Sequence, residues 1–400
     1  MSNRPAVHVA ARPFDLSEAP FDAFVERHGR MVELLCDHFN VSLLGLRQET
    51  DQASISQRWG HLPYSEVSIR DTGSSRTQRL ASAWRVGRDR DIDTEHEAID
   101  AAATLHAPEA IVTVGPWLGR AYRPLHAMRP SVHLFEEDLS QMIELAPQSR
   151  QARALRRVEI FLASRSHLRP STVCYIARSE EQAARRRYPL SEAVYLPYTL
   201  DERQWPTAPS PVAGTGAIVV GNMSQLRNAE GLADLCSLVA NRSEHPLWGT
   251  CVLSDSGLHP CLEPFVASGM LVPTDGRDLA TGYRSAALAI VPAQRLSGLK
   301  TTVLQAWTMG CPVVGYAASA HSVGADQSCM RFGETPLALL DQLDELFASP
   351  SERYALAMGG FAKLRSGYDD DRNRTTFLSA VRHAASADQT AMPSPVSTRS

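Results

Sequence analysis

Short apolar runs alternate along the chain with longer stretches in which apolar residues recur every three or four positions. The runs at 7–11, 41–46, 110–114, 131–135, 172–177, 193–196, 217–220, 249–253, 270–273, 287–291 and 312–316 are rich in Val, Ile and Leu, as strands covered on both faces are. Between them, residues 22–38 set Phe24, Met31, Leu34 and Leu35 on one helical stripe, and 151–164 and 180–187 read the same way. Repeated strand-then-helix units predict a parallel sheet with helices on its faces. The alternation breaks once, at 201–216, where Pro206, Pro209, Pro211, Gly214 and Gly216 suit a linker. The predicted fold is therefore α/β, with two Rossmann-like doubly wound domains facing a cleft. Residues 1–205 form the first domain, 206–216 the linker and 217–367 the second domain. A terminal helix over 368–385 is expected to return towards the first domain, and 386–400, poor in apolar residues, to be a disordered tail.

Composition narrows the partners. With 400 residues, a net charge of −4 and 44% hydrophobic residues, the chain is expected to be a globular protein without the basic field that favours nucleic acid. Seven scattered cysteines form no C-x-x-C pair, which argues against a disulfide framework or zinc module. The first residues lack a signal-peptide core and no apolar run approaches the ~20 residues that span a bilayer, so a cytoplasmic location is expected. Arg185, Arg186 and Arg187 leave peripheral membrane contact open, and the sequence is silent on oligomeric state. Of the 40 Lys and Arg residues, only Lys300 and Lys363 are lysine.

Ligands of open parallel sheets bind beyond the carboxyl ends of the strands. After the run at 217–220 come Gly221 and Asn222, then a helix opening near Arg227, a setting that suits an anion such as a diphosphate. After 287–291 a loop leads through Ser297, Gly298 and Leu299 to Lys300, Thr301 and Thr302 at the start of a second helix, which Gly310 and Pro312 end. Backbone N–H groups, an ammonium and two hydroxyls would converge there on a phosphorylated ligand. There is no G-x-G-x-x-G fingerprint and no P-loop.

The stretches Gly298-Leu299-Lys300-Thr301-Thr302-Val303-Leu304-Gln305-Ala306 and Gly310-Cys311-Pro312-Val313-Val314 resemble the C-terminal-domain pattern E-G-x-G/K-x-x-V-L-E-A…G-x-P-V-V of GT-B-fold retaining glycosyltransferases of family 4. Gly221-Asn222-Met223 with Arg227-Asn228, and Asp278-Leu279 through Leu288, resemble earlier parts of that domain. His28-Gly29-Arg30 resembles the glycine turn opening the family's first long helix, and Arg156–Glu159 and Cys174–Ser179 resemble a later helix and strand. The resemblance covers residues 5 to 380, strongly in the second half and thinly in the first. It implies transfer of a sugar, with retention, from a nucleotide-diphosphate donor to an acceptor hydroxyl. In that role Arg227 and Lys300 would stabilise the leaving diphosphate, with Gly221, Asn222, Ser297, Gly298, Leu299, Thr301, Thr302 and Gln305 around the donor. Where the family carries two glutamates eight positions apart, this chain has Ser297 and Gln305, neither a carboxylate.

The first domain would hold the acceptor. His133 and Glu136 are its catalytic candidates, around the end of the run at 131–135, and Asp138 and Trp117 its acceptor-side candidates. No metal site is expected, because no D-x-D follows a strand. No cofactor is expected beyond the nucleotide sugar as co-substrate. The alternatives are a nucleotide-sugar epimerase or hydrolase of the same fold, or an inactive homologue that binds sugar nucleotides.

Overall fold

The computed structural model of the chain describes residues 4–11, 23–48, 57–69, 98–99, 101–102, 105, 108–114, 125, 129–135, 171–187, 192–197, 214–254, 257–274, 279–295, 299–368 and 370–386. In the first half these form strands β1 (Ala6–Ala11), β2 (Asn40–Gln48), β3 (Tyr64–Ile69), β4 (Ala110–Val114), β5 (Ser131–Phe135), β6 (Thr172–Tyr175) and β7 (Glu192–Tyr195), with helices α1 (Ala23–His38) and α2 (Arg178–Arg187). All seven strands run parallel in the order β3-β2-β1-β4-β5-β6-β7.

The second half repeats the scheme. Strands β8 (Ala217–Val220), β9 (Thr250–Leu253), β10 (Leu271–Thr274), β11 (Leu288–Val291), β12 (Val313–Tyr316) and β13 (Arg331–Gly333) form a parallel sheet in the order β10-β9-β8-β11-β12-β13. Its helices are α3 (Leu226–Val239), α4 (Glu263–Ala267), α5 (Leu279–Ser285), α6 (Thr301–Thr308), α7 (Ala317–Ser322), α8 (Pro336–Ala348) and α9 (Pro350–Gly367). A last helix, α10 (Asp370–Ser386), follows. Both sheets are doubly wound, as the apolar runs predict: the chain builds outward from a central strand, returns across it and builds the other way.

Strand alternation puts each core on its proper face. In the second sheet Ala217, Val219, Leu288, Ile290, Val314 and Tyr316 point towards α3 and α8, where Leu232, Leu235, Leu339 and Leu343 meet them. Ile218, Ala289, Val291 and Val313 point the other way, onto Val303, Leu304 and Trp307 of α6. Four-residue strands suffice because both of their faces are buried. In the first sheet Val7, Val9, Val112 and Leu134 pack on Leu34 and Leu35 of α1 and, from the far end of the chain, on Phe377 and Val381 of α10. The last helix therefore completes the core of the first sheet and lies against β4 and β5.

Two expectations need correction. His28, Gly29 and Arg30 do not open the first long helix: they lie inside α1, where Gly29 faces Arg58 and Trp59. The strand pattern also misses β3 and β13, one edge strand of each sheet. In β3 the buried Val67 stands among Ser65, Glu66 and Ser68, and β13 has three residues, so neither offers an apolar run. The expected helix at 151–164, the resemblance at Arg156–Glu159, most of the linker and the tail beyond Ser386 fall outside the described residues. No helix among the described residues is long and apolar enough to cross a membrane.

Candidate functional site

In the second sheet the chain leaves β8 towards β9 and β10, then returns to continue with β11 on β8's other side. The carboxyl ends of β8 and β11 thus flank a switch point, where loops diverge and a crevice opens. Gly221 ends β8 at φ 138°, a backbone setting that strains any residue with a Cβ, while its N–H donates to the Leu253 carbonyl at 3.1 Å. The loop behind it is tied down. The Asn222 carboxamide oxygen accepts from the backbone and hydroxyl of Ser224 at 3.1 and 2.6 Å, and the Met223 N–H donates to Ser254 Oγ at 3.2 Å.

This loop delivers α3 with Gln225 as its first cap residue and no side-chain cap. Across the gap, α6 starts after Lys300, again uncapped by any side chain. Neither first turn contains an acidic residue. The start of a helix carries a partial positive charge from the N–H groups that lack intrahelical partners. The two starts are joined: Lys300 Nζ donates to Asn228 Oδ1 at 3.2 Å, and Asn228 Nδ2 donates to the Asn222 carbonyl at 2.8 Å. The Lys300 N–H donates to Ser322 Oγ at 3.2 Å, anchoring the start of α6 to α7.

Across from α3, Thr302 comes near Gly221. A Cβ built on Gly221 would lie 3.9 Å from Thr302 Cγ2, and the buried Thr302 Oγ1 has no hydrogen-bond partner. A buried hydroxyl left unbonded costs stability. Below it, burial holds the Tyr283 phenol well above its ordinary value, and the neutral hydroxyl donates to the Thr302 carbonyl at 3.3 Å. Behind β11, helix α3 comes so near that a Cβ on Gly231 would stand 2.0 Å from the Pro292 carbonyl oxygen. Tyr316, its phenol pushed up to about 12 by burial, donates to the Gly231 carbonyl at 3.3 Å. Gln294, just beyond β11, bonds Asp234 at 2.7 Å, so the strand end, the helix and the loop form one braced unit.

The expected donor residues are thus brought together in part. Gly221, Asn222, Lys300, Thr301 and Thr302 stand around one gap, while Arg227, in the first turn of α3, holds its Nε against Gln225 at 2.8 Å. Leu299 buries its side chain in the core and offers backbone only, and Gln305 is half-buried in the second turn of α6. Ser297 and Gly298 lie outside the described residues, as do Trp117, Glu136 and Asp138. His133 sits within β5, 8% exposed, with Nδ1 2.7 Å from Thr113 Oγ1. Asn228 carried no chemical role in the sequence, and Ser322 no signal at all; 72 residues separate Asn228 from Lys300, and only the sheet topology brings them together. Among the described residues no three His, Cys, Asp or Glu side chains are grouped to hold a metal.

No protein-family model matches the chain, and no curated protein matches it in sequence. Solved structures do match its shape. Sucrose-phosphate synthase from Thermosynechococcus elongatus superposes with a TM-score of 0.71 at 14% identity, over 96% of this chain and 100% of that one. A UDP-forming trehalose-phosphate synthase from Burkholderia xenovorans gives 0.61 at 12% identity, over 96% and 100%. The lipopolysaccharide outer core galactosyltransferase WaaB, in its apo form, gives 0.61 at 9% identity, over 94% and 99%. The chain has the GT-B fold, two Rossmann-like parallel-sheet domains.

Proposed function

We propose that the protein is a glycosyltransferase of the hexosyl, metal-independent type, moving a sugar with retention from a nucleotide diphosphate to an acceptor hydroxyl. What supports this most is the switch point between β8 and β11, where two helix starts without side-chain caps are joined through Lys300 and Asn228. Such an arrangement suits a group on which negative charge grows, and a leaving diphosphate is such a group. As the bond from the sugar's anomeric carbon to the diphosphate oxygen breaks, Lys300, Arg227 and the helix N–H groups take up the developing charge. Preorganised stabilisation of this kind is usually the largest catalytic contribution. The acceptor oxygen then bonds the anomeric carbon on the face the diphosphate leaves, and its proton passes to a diphosphate oxygen. No protein carboxylate is needed, which fits Ser297 and Gln305 in this chain. The proposal leaves His133 out of the chemistry, since its ring is buried within a strand and bonded to Thr113.

The experiment is calorimetric titration with UDP, GDP, ADP and dTDP, followed by turnover of the matching sugar nucleotides with a panel of hydroxyl acceptors. Lys300→Ala should lower turnover about 10²–10³-fold, the scale of losing one transition-state donor. Unchanged turnover would remove Lys300 from the reaction. The two missing carboxylates favour one second reading, a homologue that binds sugar nucleotides without transferring them. Tight binding with no turnover under any acceptor would select it.

A further inference from the structure

The connection that leaves β11 and enters α6 is held at both ends by one short helix. Ser319 and Ser322 stand three residues apart on α7, on one side of it and about 4.5 Å apart along its axis. Ser319 Oγ donates to the Ala293 carbonyl at 3.3 Å, two residues past β11. Ser322 Oγ accepts from the Lys300 N–H at 3.2 Å, at the first cap residue of α6, and donates in turn to the Ser319 carbonyl at 2.8 Å. The connection therefore begins and ends on the same helix. α7 can bear this because it is fixed itself. It follows β12 directly, and at its other end the buried Tyr368 donates its hydroxyl to the Val323 carbonyl at 3.0 Å. α7 also lies against α2 of the first half. Both serines are buried, so water has little access to replace either bond.

We infer that Ser319 and Ser322 are positioning residues for nucleoside-diphosphate recognition: from α7 they set both ends of the connection between β11 and α6, and so aim the first turn of α6 at the switch point. Neither needs to touch the ligand. The Ser322 bond turns the backbone at Lys300, and with it the direction in which α6 begins. The Ser319 bond fixes where the connection leaves the sheet. Without them the ligand itself would have to order both ends, and that entropy cost would weaken binding. Serine suits both places, because its one short arm reaches backbone from a helix face that is buried. The inference rests on the proposed glycosyl transfer and goes further, naming two residues outside the donor set and the helix that carries them.

The test is a set of variants of the full chain, read by calorimetry with UDP, GDP, ADP and dTDP and by melting temperature. Ser322→Ala should weaken binding of the diphosphate that wild type takes up by about three- to tenfold, the net size of one hydrogen bond, and Ser319→Ala by a similar factor. The double variant should lose less than the product of the two, because a connection freed at one end has less order left to lose at the other. Thr308→Val is the control. It removes the buried bond from Thr308 Oγ1 to the Leu304 carbonyl at 2.8 Å, at the far end of the same α6. It should lower the melting temperature and leave affinity at the wild-type level. Thr308→Val weakening binding as much as the serine variants would mark a loss of α6 stability and nothing more, and overturns the inference. Fully additive losses would mean two unrelated bonds and overturn it too. Should Ser319→Ala fail to fold, Ser322→Ala against Thr308→Val settles the question alone. If wild type binds none of the four diphosphates, the glycosyl-transfer reading falls and this inference falls with it. If wild type binds and the serine variants bind as tightly, only the positioning role is lost.

Discussion

The two sheets share a winding scheme but furnish it differently. In the first, two pairs of described polar side chains meet within the central strands: His8 Nδ1 lies 2.6 Å from Ser42 Oγ across β1 and β2, and Thr113 meets His133 across β4 and β5, while the buried Ser131 hydroxyl on β5 has no hydrogen-bond partner. These groups lie in the strands and serve the sheet. In the second, polar chemistry gathers beyond the strand ends, at Gly221, Asn222, Asn228, Lys300 and Thr302, and the Thr302 hydroxyl is left unbonded. Topology thus supplies a crevice, and the residues at its mouth decide whether it is a binding site. A buried imidazole bonded to a hydroxyl inside a strand is part of the core, whereas the Lys300–Asn228 bond lies beyond the strand ends, at the switch point.

The largest effect that can break this contrast concerns the core the two halves share. Phe377, fully buried on α10, packs with Val9, Val112 and Leu134 of the first sheet. Phe377→Ala should cost about 3–5 kcal/mol of stability, the usual range for emptying an aromatic core position. Urea denaturation measures it, and proteolysis should cut the first half before the second. A cost under about 1 kcal/mol would mean that α10 is an accessory and not part of that core.

A smaller effect sharpens the division between structural and chemical polar groups. Thr113→Val keeps the shape of the side chain and removes its bond to the buried His133 ring, which should cost about 1–3 kcal/mol. Sugar-nucleotide turnover of the folded variant should stay at the wild-type level, while the melting temperature falls. A loss of turnover that exceeds the loss of folded protein would return His133 to the chemistry, where the sequence first put it.

Strands were legible wherever burial on both faces demanded an unbroken apolar run, so the bounds of β4, β5 and β8 follow directly from the pattern. The edge strands β3 and β13 were not, because β3 sets Ser65, Glu66 and Ser68 around Val67 and β13 has only three residues, whereas the edge strands β7 and β10 carry the apolar runs at 193–196 and 270–273. At the site, the glycine after β8 and the rare lysine before α6 were readable because each breaks a local rule. The Asn228–Lys300 bond was not, since a contact between residues 72 apart exists only after β11 docks beside β8. His28-Gly29-Arg30 misled for the converse reason: a glycine inside a helix looks like a turn until Arg58 and Trp59 are seen packed against it.

That edge supplies the smallest prediction and the cleanest contrast with the site in the second half. Arg47 on β2 donates from Nε and Nη2 to Glu66 on β3 at 2.6 and 3.0 Å, and the Tyr64 hydroxyl joins them, lying over Gly45 where any Cβ would collide with it. The Arg47 guanidinium holds the Glu66 carboxyl below its ordinary value, the Tyr64 bond adds to this, and partial burial opposes it. A carboxyl lowered in the folded state contributes stability that is complete above its unfolded value, about 4.3, and is lost as pH falls through the lower folded value. Because the pair is exposed, Glu66→Gln should cost less than about 1 kcal/mol at pH 7. The difference in melting temperature between wild type and variant should vanish towards pH 3 and shrink in high salt. Here opposite charges meet at a sheet edge, whereas the Lys300–Asn228 bond ties two loops at the switch point of the second sheet. If Glu66→Gln proved as costly at pH 3 as at pH 7, the edge would be held by the shape of its side chains and not by their charge.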